Sequence, residues 1–217
     1  MIKRIIFDVD GTLIVGCDFN NAIRKTLKKL NLYSNFNMEK FRDAILTYEK
    51  NYNNYNYKDY IEHFSKCLNV NLYEKFIDIF FNELKECIPS NNEYIIETIE
   101  KLSLKYELVL LTNYFSASQM NRLNNMGIGN FFKECYGEQI IKPNNMAYLL
   151  ACGNNKPCEC LMIGDDLILD IKGAQNLGIN TIWVNSKNIK NDFINTLTVY
   201  DIKEITKDYI VKNFEID

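Results

Sequence analysis

Two carboxylates spaced two apart, Asp8 and Asp10, close the apolar run in MIKRIIFDVDGTLI, and Gly11 and Thr12 follow at once. A carboxylate at the end of a buried strand is costly unless something pairs with it, so the partners have to come from elsewhere in the chain. Later segments carry candidates: Thr112 and Asn113 after LVLL, Lys142 in IIKPNN, and Asp165 and Asp166 after CLMIG. If the apolar runs are strands of one open parallel sheet, their carboxyl ends border a single crevice. Carboxylates gathered there repel by about 4 kcal/mol per pair at ~4 Å and an effective dielectric of ~20. They stay ionised together only around a cation. An all-oxygen set suits a hard divalent ion, and Mg²⁺, which shares its shell with substrate phosphate, fits better than zinc.

Such a crevice has the parts for phosphoryl transfer to an aspartate. Asp8 would attack phosphorus, Mg²⁺ and Lys142 would neutralise the phosphoryl oxygens, and Thr112 would donate a hydrogen bond to one of them. Asp10 would protonate the departing oxygen, then take a proton from the water that hydrolyses the aspartyl-phosphate. Gly11 permits a tight turn and a close backbone approach to phosphate.

These residues need elements that bring them together. Residues 2–9, 106–112, 160–164 and 179–184 are short, β-branched and nearly continuously apolar, as strands buried on both faces of a parallel sheet are. Helical patterns over 91–103, 116–126, 143–153 and 168–177 alternate with them, so the class is α/β. From residue 14 to about 89 apolar residues recur at helical spacing with no strand candidate, and IPSNN at 88–92 reads as a turn. The expected division is a core of 1–14 plus 90–217 and an all-helical insert, 15–89. Within it, KNYNNYNYKDY reads as an Asn/Tyr-rich connection between helices rather than a ligand-facing loop. Tyr48, Tyr52, Tyr55, Tyr57 and Tyr60 could either pack helices or stack on a ring.

The 217 residues carry a net charge of −3, so no basic field draws nucleic acid or an anionic membrane. No apolar run approaches the roughly 18 residues needed to span a bilayer, and no targeting segment is expected. Seven scattered cysteines fit free thiols in a reducing, cytoplasmic compartment. Cys152, Cys158 and Cys160 lack metal-site spacing and read as plain thiols flanking a strand. The single histidine, His63, reads as part of a helix surface, which leaves a His-based triad unsupported.

Taken together, DVDGT at 8–12, LLTN at 110–113, KP at 142–143 and GDDLILDIKGAQNLGI at 164–179 resemble the haloacid dehalogenase superfamily of phosphatases and phosphomutases. The resemblance implies a Rossmann-like, doubly wound parallel sheet, with the helical insert as a cap that closes over the site. It implies Asp8 as nucleophile, Asp10 as general acid/base, and Thr112, Asn113 and Lys142 as the phosphate-binding group. Mg²⁺ would be held by the Asp8 carboxylate, the Asp10 main-chain carbonyl and Asp165, with Asp166 as second choice, and Asp170 would orient Lys142. After DGTL the chain runs IVGC, where many relatives have another acidic or polar residue. Asp10 argues against the dehalogenases and the ion-pumping ATPases of the same superfamily. The expected activity is hydrolysis of a small phosphomonoester, a sugar phosphate or a nucleoside monophosphate. A sugar phosphomutase is the enzymatic rival, with Arg24, Arg42, Lys50 and Lys58 as candidates for a second phosphate site, and a non-catalytic binding protein of the same fold is the rival of another class. Oligomeric state leaves no signature in the sequence.

Overall fold

A computed structural model describes residues 1–17, 19–33, 37–90, 92–192 and 194–215. Its centre is strand β1, Arg4–Phe7, buried at all four positions. β2 (Glu107–Leu111) and β4 (Cys160–Gly164) pair with it in parallel on either side, Phe7 facing Leu110 and Ile163. β3 (Phe132–Tyr136) adds outside β2 and β5 (Asn180–Val184) outside β4. β6 (Leu197–Val199) closes the parallel order β3-β2-β1-β4-β5-β6.

The apolar runs are continuous because helices cover both faces of the sheet. Ile5, Phe7, Leu108, Leu110, Leu161 and Ile163 join one cluster with α5 (Glu93–Ser103) and α9 (Lys207–Phe214). Ile6, Val109, Leu111 and Met162 point the other way, onto α7 (Asn145–Cys152). A further helix, α6 (Ser116–Asn125), follows β2. After β4 the chain makes a π-helical turn, Leu167–Lys172, and continues into α8, Gly173–Gln175. The start of that turn is set by Asp166, whose carboxylate accepts from the backbone N–H groups of Ile168 and Leu169 at 2.8 Å.

Strands β3 and β6 escape the sequence pattern for a shared reason. β3 reads FKECY, with Lys133 and Glu134 exposed, and β6 has three residues. Sheet margins carry charge and short strands because a long apolar edge would recruit another chain.

Between β1 and α5 the chain forms α1 (Phe19–Lys29), α2 (Met38–Asn51), α3 (Tyr57–Leu68) and α4 (Lys75–Leu84). α1 packs on α4 and α2 on α3. Their inner faces form a separate apolar cluster around Phe41, Phe64, Phe76 and Phe80, joined by Tyr114, Phe115 and Ile141 from the loops that leave the sheet. The tyrosine-rich segment is largely packing: Tyr48, Tyr55 and Tyr60 are buried, and the Tyr48 ring stacks on Tyr52 with centroids 4.7 Å apart. Asn56 ends the connection by capping α3, its side chain accepting from Asp59 N at 2.8 Å. His63 is not on the surface as its position suggested. It is buried on α3 against α2, with Nε2 2.9 Å from the Ala44 carbonyl oxygen and 3.3 Å from Thr47 Oγ1, contacts that engage Nε2. Asn91, within the turn expected at 88–92, lies outside the described residues. Among the described residues no helix is long and apolar enough to cross a membrane.

Candidate active site

The carboxyl ends of β1, β2 and β4 meet as the topology requires. Asp8 leaves β1 with its amide still bonded to the Ile163 carbonyl at 2.9 Å, so the carboxylate is fixed by the last rung of the ladder. Three residues on, Gly11 takes φ +91° and returns the chain, its N–H donating to Ile14 O at 2.9 Å. A Cβ at Gly11 would run into the Asp165 carboxylate, and one at Gly164 would run into that of Asp170. Both glycines therefore serve the close approach of acids to backbone.

One oxygen from each of Asp8, Asp165 and Asp170 falls within 4.8 Å of the others. Lys142 enters the same cluster, its Nζ 2.8 Å from Asp8 Oδ1 and 2.6 Å from Asp170 Oδ1. Asp170 also accepts from Asp166 N at 3.0 Å. The sequence assigned Asp170 to Lys142, and the structure adds it to the acid cluster as well. Asp166 is the acid that stays out, because its side chain caps the turn at 167–172.

Three buried or half-buried carboxylates face two ammonium groups, that of Lys142 and that of the exposed Lys187, 3.3 Å from Asp165 Oδ2, and still leave an excess of negative charge. Burial pushes the Asp8 carboxyl up to about 8, with Asp170 and Asp10 adding to the rise and Lys142 opposing it. Asp165 is likewise held above the usual carboxylate range, by burial first and by Asp170 second. Burial pulls the Lys142 ammonium down, but the charges of Asp170 and Asp8 more than offset that and its net shift is upward. The arrangement asks for a further cation, and the all-oxygen donor set of Asp8, Asp165 and Asp170 fits a hard divalent ion such as Mg²⁺.

Asp10 has a different environment. Its side chain turns to α6, where Gln119 Nε2 donates to Oδ2 at 2.6 Å and a guanidinium N–H of Arg122 to Oδ1 at 2.7 Å. Gln119 also donates to Thr112 Oγ1 at 3.1 Å and accepts from Arg122 at 2.8 Å. Arg122 has no exposed surface: its Nε and second terminal nitrogen donate to the Cys87 carbonyl at 3.1 and 3.0 Å, and the Phe19 ring lies 5.1 Å from its guanidinium carbon. Sequence reasoning missed Gln119 and Arg122. The available signal was two polar residues at i and i+3 beside the apolar Leu123, in the helix after the Thr112 strand end.

Thr112 is buried at the end of β2, its hydroxyl accepting from Gln119 and so retaining its own proton to donate. The Asn113 side chain departs from the phosphate-binding role expected of it. Its Nδ2 donates to Glu49 Oε2 at 3.0 Å and to Lys142 O at 2.9 Å, and its Oδ1 accepts from Lys142 N at 2.7 Å. Both amide protons are used, which leaves the side chain no donor for a phosphate and makes it a brace for the Lys142 backbone. Glu49, on α2, is the residue by which the helical segment reaches this brace, and it also accepts from the Tyr55 hydroxyl at 2.8 Å.

Comparison with known proteins identifies the family. A family model described as haloacid dehalogenase-like hydrolase matches residues 5–184. The chain belongs to the haloacid dehalogenase-like hydrolases. It is 25% identical to the putative HAD-hydrolase YfnB of Bacillus subtilis, over 98% of this chain and 96% of that one. A YfnB crystal structure bound to magnesium has a TM-score of 0.68 at 22% identity, covering 99% of each chain. The glyceraldehyde 3-phosphate phosphatase of Methanocaldococcus jannaschii is 25% identical, with the whole of both chains covered. The 2-haloacid dehalogenase of Pseudomonas syringae has a TM-score of 0.73 at 18% identity, over 94% of this chain and 96% of that one, a likeness of fold.

Proposed function

We propose that this hydrolase is a Mg²⁺-dependent phosphatase that cleaves a small phosphomonoester, a sugar phosphate or a nucleoside monophosphate, through a phosphorylated Asp8. The observation that carries the reading is the parting of the two acids of DVD: Asp8 lies against Lys142 in the acid cluster, while Asp10 lies 2.7 Å from the Arg122 guanidinium. Two neighbouring carboxylates in contrasting environments suit two roles, one as nucleophile and one as proton carrier.

Asp8, Asp165 and the Asp10 main-chain carbonyl would hold Mg²⁺, with Asp170 adjoining, and the ion would neutralise negative charge on the phosphoryl oxygens. Asp8 attacks phosphorus with its carboxylate oxygen, and Lys142 keeps that carboxylate oriented while offering its remaining N–H to the phosphoryl group. Thr112 donates its hydroxyl proton to a second phosphoryl oxygen. The Thr12 hydroxyl is buried with no hydrogen-bond partner among the described residues, which supports a further donor waiting for a ligand. Asp10 exchanges its contacts on α6 for the leaving oxygen, gives it a proton, and later removes a proton from the hydrolytic water. Residues 15–89 act as the cap over the core formed by 1–14 and 90–217, with the Glu49–Asn113 contact as its latch to the Lys142 loop.

The test is phosphate release from an aryl phosphate and a panel of phosphorylated metabolites. Release should require Mg²⁺, stop with EDTA and be absent in Asp8→Asn. Halide release from a 2-haloacid, with no turnover of any phosphate ester, would overturn the reading in favour of dehalogenation.

A further inference from the structure

The helical segment is joined to the sheet by two chain crossings, and each carries a cysteine. Cys17 lies between the β1 loop and α1, Cys87 between α4 and α5. Cys17 packs against the apolar cluster of the sheet and Cys87 against that of the four helices, so the two thiols mark where the clusters adjoin. The side chains are hydrogen-bonded to each other, and both are half-buried. We propose that Cys17 and Cys87 are a redox-modifiable pair whose oxidation to a disulfide ties the two chain crossings to each other at the base of the helical segment.

The surroundings favour Cys17 as the attacking thiol. The hydrogen bond from Cys87 draws its pKa down to about 7 against the effect of burial, and Arg122 adds to the lowering. A low pKa with partial access is what makes a thiol responsive to oxidants. The oxidant is of the peroxide class. The Cys17 thiolate attacks one peroxide oxygen, the O–O bond breaks, and the departing hydroxide takes a proton to become water, leaving a sulfenic acid. The Cys87 sulfur then attacks Cys17 Sγ, the S–S bond forms, the S–O bond breaks, and hydroxide leaves with the Cys87 proton as a second water. Two thiols lose two electrons and one peroxide gains them. A built-in contrast is Cys152 with Cys160, also in mutual hydrogen bond but with 1% and 0% of their surfaces exposed.

The test uses the full chain and does not depend on the proposed reaction. The protein is treated with hydrogen peroxide in slight excess at neutral pH, alkylated and mapped by peptide mass, and its Tm is followed. The expected result is a peptide pair joined through Cys17 and Cys87, a Tm raised by about 5 °C or more as a long loop is closed, and reversal of both by dithiothreitol. Cys87→Ser should show neither the link nor the reversible Tm change, and Cys152 and Cys160 should remain alkylatable once the protein is unfolded. Failure of Cys17 and Cys87 to join in the folded protein, or joining with Tm unchanged or lowered, would overturn the proposal.

Discussion

At the scale of single residues, the chemistry rests on how differently two adjacent acids are held. Asp8 is fixed from both ends, by its amide on Ile163 and its carboxylate on Lys142. Asp10 is held by its side chain alone, through hydrogen bonds from Gln119 and Arg122 of α6. Asp10→Asn should keep the fold and the cation yet slow turnover by about 10² to 10⁴, the usual worth of acid/base catalysis, and steady-state kinetics on a substrate with a poor leaving group measures it. Wild-type turnover there would remove the proton-carrying role. Lys142→Met leaves Asp8 and Asp170 facing one another without their shared ammonium. Breaking a buried ion pair in this way costs about 3 to 5 kcal/mol, so chemical denaturation of the metal-free variant should show a large loss, and Mg²⁺ should recover part of it. The sign of the pH dependence follows from Asp8. Its carboxyl is raised from 3.8 to about 8 in the folded state, so its contribution to stability is complete below the unfolded value and is lost as pH rises through about 8. A cation that binds the carboxylate counters that loss. The Mg²⁺-induced rise in Tm should therefore grow between pH ~5 and ~8, and a rise that is flat or shrinks over that window would contradict the charge state given to Asp8.

At the scale of elements, each strand end delivers one part of the site, and the turns between are shaped by what has to approach them. Gly11→Ala combines a positive φ with a Cβ directed at Asp165. Isothermal titration should show Mg²⁺ affinity falling by tenfold or more, about 1.4 kcal/mol, with a smaller loss if Asp165 can swing aside. The elements also decide what could be read in advance. Asp8 and Asp165 were legible because they follow apolar runs, where a single strand fixes direction, whereas Lys142 stands in a loop beyond β3 and was singled out by the KP motif. Gln119 and Arg122 were not, because their partner Asp10 is more than a hundred positions away and only the seat of α6 against the β1 loop joins them. Asn113 was assigned to phosphate as part of the LLTN motif, and its side chain bonds the Lys142 backbone. Strands β3 and β6 lacked an apolar signature because they lie at the sheet's margins, and His63 was misplaced because burial between two helices leaves no mark on a lone polar residue.

At the scale of the whole molecule, the apolar residues divide into clusters, one serving the sheet and one the four helices together with Tyr114, Phe115 and Ile141. The α/β alternation and the helical run were visible in the period of the apolar residues, since that period is set by the layer each element faces. The tyrosines of 48–60 were ambiguous because a ring that packs and a ring that stacks on substrate have the same local sequence. Tyr48, Tyr55 and Tyr60 are buried in packing, while Tyr57 stays exposed. The claim on which the rest depends is that Asp8 becomes phosphorylated. Acid quenching during turnover of a phosphomonoester with Mg²⁺, followed by peptide mass mapping, tests it most directly. The expected result is a phosphoryl adduct on the peptide containing Asp8, absent with EDTA and absent in Asp8→Asn; steady phosphate release by Asp8→Asn at the wild-type rate, with no adduct on that peptide in either protein, would contradict it.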